Sequence, residues 1–206
     1  RYMEITGLEY KPDIADIQGI AFNTGVTNRN QFTCSSPLIN SIQDAIERTF
    51  LSNLIGVQSD CAAREKFGYG GDLNATSEAF ICNFDMQLFY RKTIYDWVDA
   101  LNDSLFVDTA PFVGIKYCGL SWESAFLSTQ YYLYLYYNDT EIIRELYDLD
   151  IQWMEKAARL HPGGIVDQGL SDHESLEPDP VELTGTGHYL QCAQIMEDFA
   201  KVMGDT

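Results

Sequence analysis

Apolar and polar positions follow two different periods along this chain. In the first thirty residues, RYMEIT alternates Tyr2, Glu4 and Thr6 with Met3 and Ile5. IQGIAFNTGV is a second short β-rich run, and Gly, Pro and Asn bound both. Alternation puts successive side chains on opposite faces of an extended chain, so two strands are expected there. From Cys34 the period becomes helical. SSPLINSIQDAIERTFLSNLIG carries Ser36 as a candidate N-cap, Pro37 at the first helical position, and Leu38, Ile42, Ala45, Ile46, Phe50 and Leu54 at helical spacing. Gly56 is its expected stop.

Further helices are expected over 77–101, where no Gly or Pro intervenes, and over about 121–137, 140–160 and 186–203. Loops bearing glycine or proline separate them, FVDTAPFVGIKYCGL and HPGGIVDQGLSDHESLEPDPVELTGTG among them. A short strand head followed by helix, loop and helix in succession predicts a mainly α chain of antiparallel helical hairpins. Long loops are uncommon in compact domains unless they carry function, and these are rich in acids, aromatics and glycine, as a sugar-binding mouth would be.

Composition narrows the function classes. With 206 residues, 46% hydrophobic and 21% charged, the chain has enough apolar material for a core, so disorder is not the default. A formal charge of -18 repels nucleic acid and anionic headgroups. No apolar run reaches the roughly 20 residues of a membrane span, and Arg1 opens no signal peptide. Cys34, Cys61, Cys82, Cys118 and Cys192 are scattered and odd in number; they suggest neither a zinc site nor a disulfide framework and read as buried free thiols. The N-x-[ST] triplets at Asn74, Asn102 and Asn138 matter only in a glycosylating secretory pathway.

Candidate chemistry gathers in SDCAAREKFGYGGD. Asp60, Glu65 and Asp72 lie five and seven residues apart, on a segment not expected to be regular helix. A carboxyl that must donate a proton near neutral pH needs its pKa raised, as neighbouring carboxylates and apolar walls do; Asp60 and Asp72 could act so on Glu65. In extended backbone, Arg64 and Lys66 would leave on the opposite face. Spacing alone favours a solvated, salt-bridged loop. Asp172, His173 and Glu174 stand side by side in LSDHESLEPD, but adjacent residues rarely converge on one ion, so a polar loop is the stronger reading and no metal is expected. TGTGHY lacks the order of a serine elbow, and GYGGD lacks a phosphate-binding GK[ST]. The tyrosines of QYYLYLYYND cannot share one helix face and read as mainly structural, whereas Trp122, at a helix start after a glycine loop, is better placed to touch a ligand.

Taken together these residues resemble the catalytic region of the α-L-rhamnosidases of glycoside hydrolase family 78. The family signature D-C-x-x-R-E-K-x-G-[WY]-x-G-D is matched from Asp60 to Asp72, and the resemblance continues through NFDMQLFYRK, VDTAPFVG, Trp122 and GLSDHESL…LTGTGHY. It implies part of an (α/α)6 toroid preceded by a β-sandwich: residues 1–33 would end the β-sandwich domain and linker, and 34–206 would form the first half of the barrel. It further implies inverting hydrolysis of terminal α-L-rhamnose from glycosides or polysaccharides, without cofactor. Glu65 would be the general acid. Asp60, Arg64 and Asp72 would hold sugar hydroxyls and keep the acid's pKa up, and Tyr69 and Trp122 would wall the C6-methyl face.

Two departures are Tyr69, where the family often has Trp, and His173, where it has an aromatic. An inverting enzyme also needs a base roughly 6.5–9.5 Å from the acid. In the family that glutamate comes from the last part of the barrel, so it is expected beyond Thr206, with Glu174 and Glu123 as the nearest substitutes. On that expectation the segment alone would be inactive and poorly soluble. The rival readings are another (α/α)6 glycosidase of different sugar specificity and a non-catalytic carbohydrate-binding relic. A secreted or periplasmic setting is expected ahead of a cytoplasmic one, and the oligomeric state is left open.

Overall fold

The computed structural model describes residues 3–101, 106–177 and 179–205. The chain is mainly helical. In order come α1 (Pro37–Ser52), a two-stranded antiparallel ribbon of β1 (Leu54–Ile55) and β2 (Val57–Gln58), α2 (Gly70–Asn83), α3 (Gln87–Ala100), α4 (Leu120–Glu123), α5 (Ala125–Tyr137), α6 (Thr140–Leu160) and α7 (Val181–Met203).

The hydrophobic period explains which helix is inside. Apolar residues surround α5 on every side. Ala125, Phe126, Leu127 and Leu133 are buried, and so are Ser128, Thr129 and Gln130, because α5 packs against α2, α3, α6 and α7 at once. By contrast α6 buries one stripe, Ile142, Ile143, Leu146, Tyr147, Trp153 and Ala157, and leaves the opposite face wet. The α5–α6 hairpin is set by two residues. Asn138 takes the left-handed conformation at φ 54°, which suits a short polar side chain. Asp139 then caps α6 by accepting from the Ile142 N–H at 3.2 Å. Arg91 of α3 donates to both Asp139 carboxylate oxygens at 2.8 Å, tying a second hairpin to this turn.

Several expectations need correction. No strand forms among the described residues of the first thirty. Met3, Ile5, Ile20 and Phe22 are exposed, since an alternating run makes a strand only where another edge pairs with it. Residues 24–30 instead lie as an extended strap: Thr24 N–H bonds to Leu54 O, Arg29 N–H to Asn83 O, and Asn28 bridges Phe84. The Ser36 side chain makes no cap hydrogen bond, and α1 ends at Ser52; Gly56, at φ 75°, turns the β1–β2 ribbon instead. The helix expected over 77–101 is two. It starts seven residues early at Gly70 and breaks at Phe84–Met86, where Tyr137 Oη accepts from the Met86 N–H at 2.8 Å. The expected 121–137 helix opens as α4 and resumes as α5, 140–160 matches α6, and α7 begins at Val181 inside the presumed loop.

The apolar stripe of α1, Leu38, Ile42 and Ile46, faces outward, and its inward contact is the stacking of Phe50 on Phe80 at 4.0 Å. Cys118 and Cys192 are buried, Cys34 and Cys61 are half-buried, and Cys82 is exposed; all five are free. The tyrosines of α5 act as struts, with Tyr131 donating to Asp198 and Tyr136 to Glu78. Asn74 is bonded into the interior, Asn138 is an exposed helix cap, and Asn102 lies outside the described residues. No described helix is long and apolar enough to cross a membrane.

Candidate active site

Backbone bonds draw three loops to one end of α5. Gly70 N–H donates to Asp108 O at 2.9 Å and Ala110 N–H to Gly68 O at 3.0 Å, fastening the 59–69 loop to 108–110. Leu170 N–H donates to Cys118 O at 2.7 Å, and the Ser121 hydroxyl to Leu170 O at 3.2 Å, so the 168–173 loop lies beside α4. Between α2, α4, the 171–173 loop and the start of α7 opens a cleft of about 640 Å³, lined by Asp72, Trp122, Asp172, His173, Thr184 and His188 among others; Asp60, Glu65 and Tyr69 lie outside that lining.

The glycines of the signature serve the protein's own packing. A Cβ on Gly70 would stand 2.0 Å from Trp122 O, and one on Gly71 2.5 Å from the Trp122 indole. The ring therefore lies directly on α2, and these glycines make room for the tryptophan that walls the cleft. His173 meets that indole edge-on at 5.9 Å.

Of the three acids of the signature, Asp72 lines the cleft, while Asp60 and Glu65 stand outside its lining. Asp60 closes its loop by accepting from Phe67 N–H at 2.9 Å. Residues 62–65 form a turn and Lys66 has φ 62°, so the backbone is not extended and the opposite-face argument for Arg64 and Lys66 does not apply. Glu65 is exposed and accepts from the Tyr69 hydroxyl at 2.7 Å. The Tyr69 phenol is pushed up, first by burial and then by this bond. Among the carboxyls lining the cleft, Asp72 is raised, first by burial, then by the negative charge of Asp60, with a smaller push from Glu65 and an opposing pull from its own backbone bond and His173. Glu65 and Asp60 thus stand within electrostatic reach of the cleft acid. Arg64 is exposed, off the cleft lining, and in no ion pair among the described residues.

Neither substitute base fits. Glu174 is exposed, off the cleft lining, at φ 59°. Glu123 lines a separate 230 Å³ cavity with Asp108, and burial, then the Asp108 charge, lifts its carboxyl to about 8; at neutral pH it holds its proton and cannot take another. Among the described residues no three His, Cys, Asp or Glu side chains are grouped to hold a metal.

Asn74 and His188 escaped the sequence reading. Asn74 read as a glycosylation triplet, although Gly71, Asn74 and Ala75 fall at helical spacing on one face of α2 and all line the cleft. Thr184 and His188 are likewise i and i+4 on α7, a pairing hidden because glycine-rich LTGTG reads as loop and the helix is expected only from 186.

Comparison with known proteins agrees with this architecture. The α-L-rhamnosidase of Formosa agariphila is 28% identical over all of this chain, and that of Streptomyces avermitilis 25% over 99% of it. The chain spans 24% and 20% of their lengths, about a quarter or less. Among solved structures, the α-L-rhamnosidase from Dictyoglumus thermophilum superposes with a TM-score of 0.88 at 31% identity, over 95% of this chain and 23% of that one. The S. avermitilis enzyme, complexed with L-rhamnose, shares the fold at TM-score 0.84 and 21% identity, over 89% of this chain and 18% of that one. Because residues 27–206 match the bacterial alpha-L-rhamnosidase 6 hairpin glycosidase domain, and the helices and cleft loops fall where that match runs, this chain belongs to that family.

Proposed function

We propose that this chain supplies the acid-bearing side of an α-L-rhamnosidase active site, in which terminal α-L-rhamnose is cut from glycosides or polysaccharides with inversion. The observation that carries the reading is the pairing, in one cleft, of the Asp72 carboxyl, under the field of Asp60 and Glu65, with the Trp122 indole. Rhamnose has hydroxyls to bond and a C6 methyl to bury, so a cleft that sets an acid beside an indole matches both. The structural relative bound to L-rhamnose supports that choice of sugar.

Glu65 protonates the leaving oxygen. Its exposure keeps it within reach of a departing aglycone, and the Tyr69 hydroxyl orients the carboxyl and then stabilises its anion once the proton has gone. Asp72 and Asp60 hold sugar hydroxyls, with Arg64 reaching in from the rim. Trp122, Tyr69 and His173 form the walls. The water is activated by a carboxylate outside these residues, since Glu123 is protonated in a separate cavity and Glu174 is turned out on an exposed loop. Residues 34–206 form the first half of an (α/α)6 toroid, with the exposed stripe of α1 covered in the complete protein, and residues 1–33 lead from an adjoining β-sandwich domain.

The test is Glu65→Gln in the full-length protein. Hydrolysis of an alkyl α-L-rhamnoside should fall by about 10²- to 10⁴-fold, and an aryl rhamnoside with a good leaving group should suffer less. Wild-type activity on the alkyl substrate would refute the assignment. A panel of other glycosides checks the sugar, and tight rhamnose binding without turnover would mark a non-catalytic module.

A further inference from the structure

Behind the cleft wall runs a chain of hydrogen bonds whose direction can be followed from one end to the other. The Asn74 side-chain N–H₂ donates to Ser121 O at 2.8 Å and to the Ser124 hydroxyl oxygen at 2.9 Å. A backbone carbonyl only accepts, so the Ser121 contact fixes which end of the amide is nitrogen. The amide oxygen is accordingly the atom that receives the Ser128 hydroxyl. Ser124 is 1% exposed and Ser128 3% exposed, so solvent does not compete for these groups.

The Ser124 hydroxyl, which accepts from Asn74, stands 3.2 Å from His188 Nδ1 and has no other acceptor for its hydrogen among the described residues, so this buried hydroxyl is satisfied only by donating to Nδ1. Nδ1 is therefore the accepting nitrogen, and the imidazole proton resides on Nε2. The ring lines the cleft, and no group among the described residues hydrogen-bonds Nε2. Burial also lowers the His188 pKa, which keeps the ring neutral.

We propose that His188 is a substrate-binding residue of this cleft, presenting Nε2–H to a hydroxyl or ring oxygen of the bound sugar, with Ser124, Asn74 and Ser128 as positioning residues that fix its tautomer. The inference rests on the reading that the cleft takes a rhamnoside. A neutral donor suits such a ligand, because a sugar oxygen offers lone pairs and no charge. It also adds a fixed donor on the α7 side, opposite the acceptor carboxylate of Asp72 on α2, so that the two contacts set the orientation of the ring between them.

The experiment is steady-state kinetics of the full-length protein on an aryl α-L-rhamnoside, with competitive inhibition by free L-rhamnose and Tm measured in parallel. His188→Ala should raise KM and the rhamnose inhibition constant together by roughly three- to tenfold, with a smaller change in kcat. His188→Gln, which keeps an N–H donor, should recover part of the loss. Ser124→Ala should raise KM by a similar factor although the imidazole remains, since Nδ1 is then free to take the proton. If His188→Ala lowers Tm substantially, the Gln and Ser124 variants decide. KM and inhibition constant within twofold of wild type for His188→Ala would overturn the binding role, and an unchanged KM for Ser124→Ala would overturn the relay. Wild-type protein inert on every rhamnoside would instead sink the proposed function itself, and this inference with it.

Discussion

Asp150 is an acid in the middle of the helical core, and its replacement should stabilise the protein. It is fully buried on α6, where Gln130 of α5 donates to Oδ1 at 2.8 Å while Asp150 Oδ2 and Gln130 Oε1 find no partner. Burial lifts its carboxyl from 3.8 to about 8, and the Gln130 bond pulls the other way. A carboxyl raised on folding binds its proton more tightly in the native state than in the unfolded chain. Its stabilising effect is complete below pH 3.8 and drains away as pH rises toward 8. From pH 3.8 to pH 7, at about 1.4 kcal/mol per pH unit, the loss is about 4 kcal/mol. Asp150→Asn never ionises, keeps an acceptor for Gln130 Nε2, and offers an N–H₂ where Gln130 Oε1 stands unpartnered. The variant should therefore gain up to about 4 kcal/mol at pH 7, on the order of ten degrees in Tm for a domain of this size. The gain should shrink to about 2 kcal/mol at pH 5. Calorimetric unfolding of wild type and variant at pH 5, 6 and 7, following the transition of this domain, measures both. A variant no more stable than wild type at pH 7, or a gain independent of pH, would refute the reasoning.

Other outcomes follow from single contacts. Gly71→Ala places a methyl 2.5 Å from the Trp122 indole, so the ring must leave its seat. Stability should fall by about 1–3 kcal/mol, and kcat/KM on a rhamnoside by at least about tenfold in protein that remains folded. Asp139→Ala removes the cap of α6 and the partner of Arg91 together; denaturant titration should show a loss of about 2–3 kcal/mol, with KM unchanged because the site is remote from the cleft.

The helical hairpins and the acid-rich loop were legible in the chain itself, because both depend on short-range pattern. The spacing of Ile142, Leu146, Trp153 and Ala157 is enough to define α6, and Asn138-Asp139 is enough to end one helix and begin the next. The signature from Asp60 to Asp72 is likewise a local pattern, and it marks the loop that leads into α2. Strands in the first thirty residues were misread because alternation describes a side-chain pattern, while a strand also needs an edge to pair with. The start of α7 was misread because Gly185 and Gly187 suggest loop, whereas Gly185 lies inside the helix where a Cβ would meet Val166.

What tertiary structure alone decided is which of these pieces meet. Asp72, Trp122, His173 and His188 come from four segments separated by fifty, fifty-one and fifteen residues, and nothing local relates them. Backbone bonds between loops bring them to one cleft. Desolvation then sets the proton affinity of the buried acids, raising Asp72 in the cleft and leaving Glu123 protonated beside Asp108. Burial depends on every element that covers a group, so it cannot be read from the residues on either side of it.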